Sequence, residues 1–252
     1  MGPVSFLGTI VTSTMLLTLR QLRRLIEDTD IDVGEELDYD VDPECVTCPA
    51  DGDEDPIEDV KVPDVRDWQS YIQWPVPLYH QASNFSCGAA CTMAMFLYWK
   101  PESYPYEYEA DMWEEMGTTE EGTDPDNIIR FINDNGLTSE NMTGASWEDV
   151  IDLMKDGPVI LCIQAWPGKK VADWQTEWDS GHYVILVGTD ADNAYMMDPS
   201  THGSYVWMPI KELKHRWHDY DEGWVPKSRF AISVKGPSDP VQEFPEMLRR
   251  LC

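Results

Sequence analysis

Phe85-Ser86-Cys87-Gly88-Ala89-Ala90-Cys91 opens the stretch that decides the fold. Small and apolar residues then run without a charge to Trp99, which predicts a buried helix by length and composition. Pro101 and Pro105 end it. Cys87 stands where a loop enters that helix, and a helix N-terminus offers unpaired N–H groups and a dipole end that favour negative charge on a side chain. Cys91 and Cys162 lie inside apolar runs and read as inert, buried thiols.

Downstream of this helix, the pattern predicts helices at about 107–116, 125–134 (Asp124 as cap, Gly136 as terminator) and 147–155 behind Ser146. The period then changes. Segments 158–165, 182–187, 194–197, 205–208 and 229–234 read as strands, with one late helix at 209–217. Helices first and strands afterwards indicate an α+β architecture, an antiparallel sheet packed on a helical half. The folded region is expected to begin near Trp68 and close near Val234. The aromatic group Trp99, Tyr104, Tyr106, Tyr108 and Trp113 reads as packing.

A nucleophilic thiol needs a base, usually His, oriented by a third polar group. Of the histidines at 80, 182, 202, 215 and 218, His182 stands out, because Ser180-Gly181 precedes it and a buried strand follows at once. Sixteen residues later the next strand ends at Asp198-Pro199. An antiparallel pair of that length returns Asp198 to the side of His182. Gln81, in the loop before Cys87, offers a side-chain amide that could join the Cys87 N–H in stabilising a tetrahedral oxyanion. His202, His215 and His218 read as surface or core-edge groups, with no spacing that fits zinc.

Gln81, Cys87-Gly88-Ala89-Ala90-Cys91, Gly181-His182-Tyr183-Val184-Ile185-Leu186-Val187-Gly188 and Asp198-Pro199 together resemble the papain-like cysteine peptidases of the bacteriocin-processing type, which trim leader peptides after a double glycine. The resemblance spans roughly residues 74–234. It implies a papain-like fold with the active site in a cleft between helical and sheet halves. By position it makes Cys87 the nucleophile, His182 the general base, Asp198 its orienting partner and Gln81 an oxyanion-hole donor. The implied activity is hydrolysis of peptide bonds through an acyl-enzyme thioester, with a peptide or protein substrate and neither cofactor nor metal. Two departures stand out: Ser86 occupies the place before the nucleophile where relatives commonly carry an acid, and the membrane spans and nucleotide-binding loop of transporter-linked members are missing. The chain has no Gly-Gly dipeptide, so it cannot cut itself at such a site. A catalytically idle peptide-binding module, or a thiol-dependent acyl transferase or isopeptidase, are the rival readings.

On this basis the chain divides into an N-terminal apolar helix and acidic linker or pro-region (1–67), a papain-like peptidase domain (68–235) and an appended amphipathic tail (236–252). Among 252 residues, 18 Lys and Arg face 47 Asp and Glu, a net charge of −29. So acidic a chain lacks the basic footprint that nucleic acid requires. Residues 3–19 are mostly apolar and give a route to membrane association, although the run falls marginally short of the ~20 residues that span a bilayer. Free thiols without a framework of bridges favour a reducing, cytoplasmic setting. Cys45 and Cys48 form a lone C-x-x-C with no second pair or nearby His to complete a metal site. Nothing in the sequence sets the oligomeric state.

Overall fold

Helix α1 (Cys87–Trp99) is buried around its whole circumference, and only Leu97 is half-exposed. That is why it needs glycine, alanine and methionine: a helix with no polar face must fit between packed neighbours on every side. Thr92 satisfies its hydroxyl internally by donating to the Gly88 carbonyl at 2.9 Å. Lys100, in the left-handed region at φ 44°, ends the helix by donating its N–H to the Phe96 carbonyl.

The computed structural model describes residues 61–63, 67–100, 106–220, 225–236, 240, 244–245 and 247–251. The apolar run 3–19, Cys45, Cys48, residues 27–60 of the acidic stretch and Tyr104 lie outside them. The chain divides into two units, Met1–Cys45 and Val46–Cys252, and every described residue belongs to the second.

After α1 come a 3₁₀ turn (Glu109–Met112), α2 (Trp113–Met116) and α3 (Pro125–Asp134), then β1 (Thr138–Met142) and α4 (Trp147–Leu153). The strands β2 (Val159–Gln164), β3 (Gly181–Thr189), β4 (Asn193–Met197) and β5 (Ser204–Pro209) follow. Helix α5 (Ile210–Arg216) leads to β6 (His218–Tyr220), β7 (Pro226–Ser228), β8 (Ala231–Lys235) and β9 (Met247–Arg250). The two predicted helix starts are capped as expected. Asp124 accepts the Asp126 N–H, and Ser146 and Asp149 form a reciprocal capping box.

Seven strands form one sheet in the order β1-β8-β2-β3-β4-β5-β9, antiparallel except for the β5–β9 pair, while β6 and β7 make a separate ribbon. The α+β class is therefore as expected, with one addition. Both faces of the sheet are covered. Ile160, Cys162, Tyr183, Ile185, Val187, Tyr195 and Met197 pack toward α1 and α3, whereas Val159, Leu161, Val184, Leu186, Met196 and Met208 join a second core with residues of α4 and α5. Alternate side chains of each strand thus enter different cores, which explains why β2 and β4 are buried at every residue.

Four strands were absent from the sequence pattern. β1 is polar and largely exposed, β6 and β7 are three residues each, and β9 falls within the tail read as an appended amphipathic piece. β9 instead joins the sheet edge in register with β5, and Leu251 beyond it is fully buried. The expected helix over 107–116 begins as the 3₁₀ turn and becomes α-helical only at Trp113. Of the aromatic group, Trp99, Tyr106 and Trp113 pack as expected, Trp99 against Tyr98, Tyr106 against Phe131 and Trp113 against Phe85, whereas Tyr108 is 61% exposed.

Candidate active site

The start of β3 is fixed by its glycine. A Cβ at Gly181 would stand 2.0 Å from Oδ2 of Asp219, so no larger residue fits without moving that carboxylate. Asp219 is itself held by the Cys162 thiol, which donates to Oδ2 at 3.1 Å, and by the Gln164 amide at 3.3 Å. The Gln164 carbonyl oxygen in turn accepts the Ser180 N–H at 2.9 Å. His182 therefore leaves a backbone pinned on both sides. At the other end of the strand, Gly188 sits at a bulge where the entry segment crosses. A Cβ there would meet the Tyr71 carbonyl at 2.1 Å, and the N–H groups of Gln73 and Trp74 both donate to the Val187 carbonyl.

His182 Nε2 lies 2.7 Å from Oδ1 of Asp198, and both residues are buried. Burial opposes charge on the imidazole, but the Asp198 charge and hydrogen bond, together with the Cys87 side chain as a further hydrogen-bond partner, outweigh it and hold the pKa up at about 10. Burial likewise opposes the Asp198 carboxylate, and is outweighed by His182, the Ser200 N–H and the Thr201 hydroxyl, which keep its pKa below the usual range. Because Nε2 is taken by Asp198, Nδ1 is the ring nitrogen left for Cys87.

Cys87 is the first residue of α1, where backbone N–H groups have no partner inside the helix. Burial pushes the other two described thiols, Cys91 and Cys162, well above their ordinary pKa. Cys91 donates to the Tyr183 carbonyl at 3.4 Å and Cys162 to Asp219, so both are committed to structure.

Gln81 is brought to the same loop as Asp198. Its N–H donates to the Pro199 carbonyl, its side-chain carbonyl accepts from the Ser200 hydroxyl at 2.9 Å, and its side-chain amide donates to the Ser83 carbonyl at 2.6 Å. One amide hydrogen remains for another acceptor. The chain of contacts runs from Gln81 through Ser200 to Asp198, and from Asp198 through His182 to Cys87.

Three contributors carried weaker sequence signals or none. Ser200 and Thr201 cap the Asp198 carboxylate in an Asx-type turn, which the Asp198-Pro199-Ser200-Thr201 run could have indicated. Trp166, 46% exposed as a residue, donates its indole N–H to Asp198 Oδ2 at 3.2 Å from a backbone at φ 55°. A bulky residue in that region is strained, and no local pattern announces it. Among the described residues no group of three or more His, Cys, Asp or Glu could hold a metal ion, and no helix is long and apolar enough to cross a membrane. His202 stacks on His80 at 3.5 Å between centroids, and His218 is buried beside the Glu177 carbonyl.

No curated protein matches the chain. Among solved structures, it is similar to a double glycine motif protease from an AMS/PCAT transporter in complex with the leader peptide, at 19% identity over 65% of this chain and 94% of that one, with a TM-score of 0.45. It is also similar to a C39-like peptidase from Bacillus anthracis (15% identity, 67% of this chain and 98% of that one, TM-score 0.49). The peptidase domain of ComA from Streptococcus, a bifunctional ABC transporter, is a third (16% identity, 64% and 99%, TM-score 0.44). Residues 74–223, more than half of the chain, match the model of the Peptidase_C39 like family. The segment that carries Gln81, Cys87, His182 and Asp198 is thus the segment that defines the relationship, and the chain belongs to the Peptidase_C39 like family.

Proposed function

We propose that this chain is a cysteine peptidase that hydrolyses peptide bonds with Cys87 as nucleophile, His182 as general base and acid, Asp198 as its orienting group and Gln81 as an oxyanion donor. The observation that carries the reading is the buried His182–Asp198 pair at 2.7 Å, with Cys87, the first residue of a helix, as a further hydrogen-bond partner of His182. An imidazolium held between a carboxylate and a sulfur is what thiol activation requires.

In the proposed reaction, the Cys87 sulfur attacks the scissile carbonyl carbon and its oxygen takes up the negative charge. The Cys87 N–H and the remaining amide hydrogen of Gln81 stabilise that oxyanion. His182 gives the proton to the departing amine, leaving a thioester on Cys87. It then takes a proton from water, which attacks the thioester and releases the acid product. Asp198 keeps Nε2 occupied throughout, so that Nδ1 faces the sulfur.

A thiol-reactive activity probe tests the assignment. Wild type is expected to be labelled at Cys87, and Cys87→Ala to lose that label and peptide cleavage together. Equal labelling of the two proteins would reject Cys87 as the nucleophile.

A further inference from the structure

The buried carboxylate of Glu109 has no part in the proposed triad. It opens the 3₁₀ turn Glu109–Met112 and is 1% exposed. Its Oε1 accepts the Ala82 N–H and the Ser86 hydroxyl, each at 2.6 Å, while Oε2 is buried with no hydrogen-bond partner among the described residues. The Glu109 N–H donates to the Tyr79 hydroxyl at 3.2 Å. Ser86, its hydroxyl donating to Glu109, accepts the Ser83 N–H at 3.1 Å.

These contacts fall between the two proposed oxyanion donors, one next to each. Ala82 follows Gln81, and Ser86 precedes Cys87. One carboxylate oxygen therefore joins the segment that aims the Gln81 amide to the turn that aims the Cys87 N–H. Burying a carboxylate is costly, and a single oxygen taking both bonds while the other takes none shows that the group is placed for that junction. Negative charge beside the N-terminus of α1 is also favourable.

We infer that Glu109 is a positioning residue for the peptidase reaction, setting the separation of the Gln81 and Cys87 oxyanion donors by tying Ala82 to Ser86. The inference rests on the peptidase reading above. It acts on the tetrahedral intermediate, so its removal lowers kcat and leaves KM and the reaction of the bare thiol little changed. Gln in its place keeps a carbonyl oxygen able to accept both bonds, and Ala does not.

The test compares wild type, Glu109→Gln, Glu109→Ala and Ser86→Ala on a fluorescence-quenched peptide taken from a library digest by wild type. Alongside cleavage, it measures the rate at which iodoacetamide modifies Cys87, followed by the mass of the Cys87 peptide, and folding by circular dichroism. Glu109→Ala is expected to lose about 10- to 100-fold in kcat, with KM and the alkylation rate within about threefold of wild type. Glu109→Gln is expected to recover most of that loss, and Ser86→Ala to fall between. Ser86→Ala decides the matter if Glu109→Ala does not fold, since it removes one tether and leaves the carboxylate in place. Unchanged kcat in a folded Glu109→Ala or in Ser86→Ala overturns the inference, as does a parallel fall of alkylation and kcat. A wild-type protein that cleaves no library peptide, or a Cys87→Ala protein that cleaves as well as wild type, overturns the peptidase reading and the inference with it, and is recognised by arising without any Glu109 substitution.

Discussion

Asp198 carries the electrostatics of the site at the scale of single residues. Four donors converge on a carboxylate with no exposed surface: His182 and the Ser200 N–H on Oδ1, and Trp166 and Thr201 on Oδ2. In Asp198→Asn the ring contact persists but the charge is lost, and turnover should fall about 10- to 100-fold, part of the roughly 10²–10⁴ that a positioned base supplies. The same variant has a thermodynamic signature. His182 titrates above its ordinary 6.5, at about 10, so its protonated form contributes stability in full below pH 6.5 and loses it as pH rises through about 10. Asp198 titrates below its ordinary 3.8, so its contribution is full above 3.8 and is lost as pH falls through the lowered value. Urea unfolding between about pH 7 and pH 10 should show wild type losing about 2–4 kcal/mol more than Asp198→Asn. Equal slopes in the two proteins would show that the pair is not charged in the folded state. Trp166→Phe removes one charge-assisted donor and should cost about 1–3 kcal/mol in the same assay, with the ring volume largely kept.

Individual elements place those residues through close approach of backbone. Gly181→Ala drives a Cβ into Asp219 and should destabilise by about 1–3 kcal/mol, while Gly188→Ala meets the Tyr71 carbonyl, which cannot swing aside, and should cost more. Melting temperatures of the two variants check the order; a Gly188→Ala protein melting within about a degree of wild type would refute the crossing at the bulge. Helix α1, strands β2 to β5 and the pairing of His182 with Asp198 were legible because burial on all sides leaves an uninterrupted apolar run, and because strand length sets where the next strand returns. β1 was not, because its Thr138-Ser139-Glu140-Asn141-Met142 composition suits an exposed edge and is held by β8, distant in sequence. Glu109 and Trp166 were illegible for a related reason. Their roles come from contacts made across the fold, and neither lies in a local motif.

At the largest scale, net charge and the strand β9 both bear on stability. A net charge of −29 repels itself in the compact state, so melting temperature should rise with sodium chloride between about 0.1 and 1 M. Removing residues 237–252 would strip β9 from β5, expose the site of Leu251 and remove Arg250, which shares Glu212 with Arg216. Loss of the Leu251 side chain alone accounts for about 2 kcal/mol, so the truncated protein should unfold at clearly lower urea; an unchanged midpoint would show the tail to be dispensable. The proposed chemistry itself depends on Cys87 acting with the buried His182–Asp198 pair. The most direct measurement is a peptide-library digest by wild type and by Cys87→Ala, read by mass spectrometry. The expected result is discrete cleavage by wild type that falls at least about 10³-fold in the variant. Comparable cleavage by both proteins would contradict the assignment of Cys87 and the chemistry built on it.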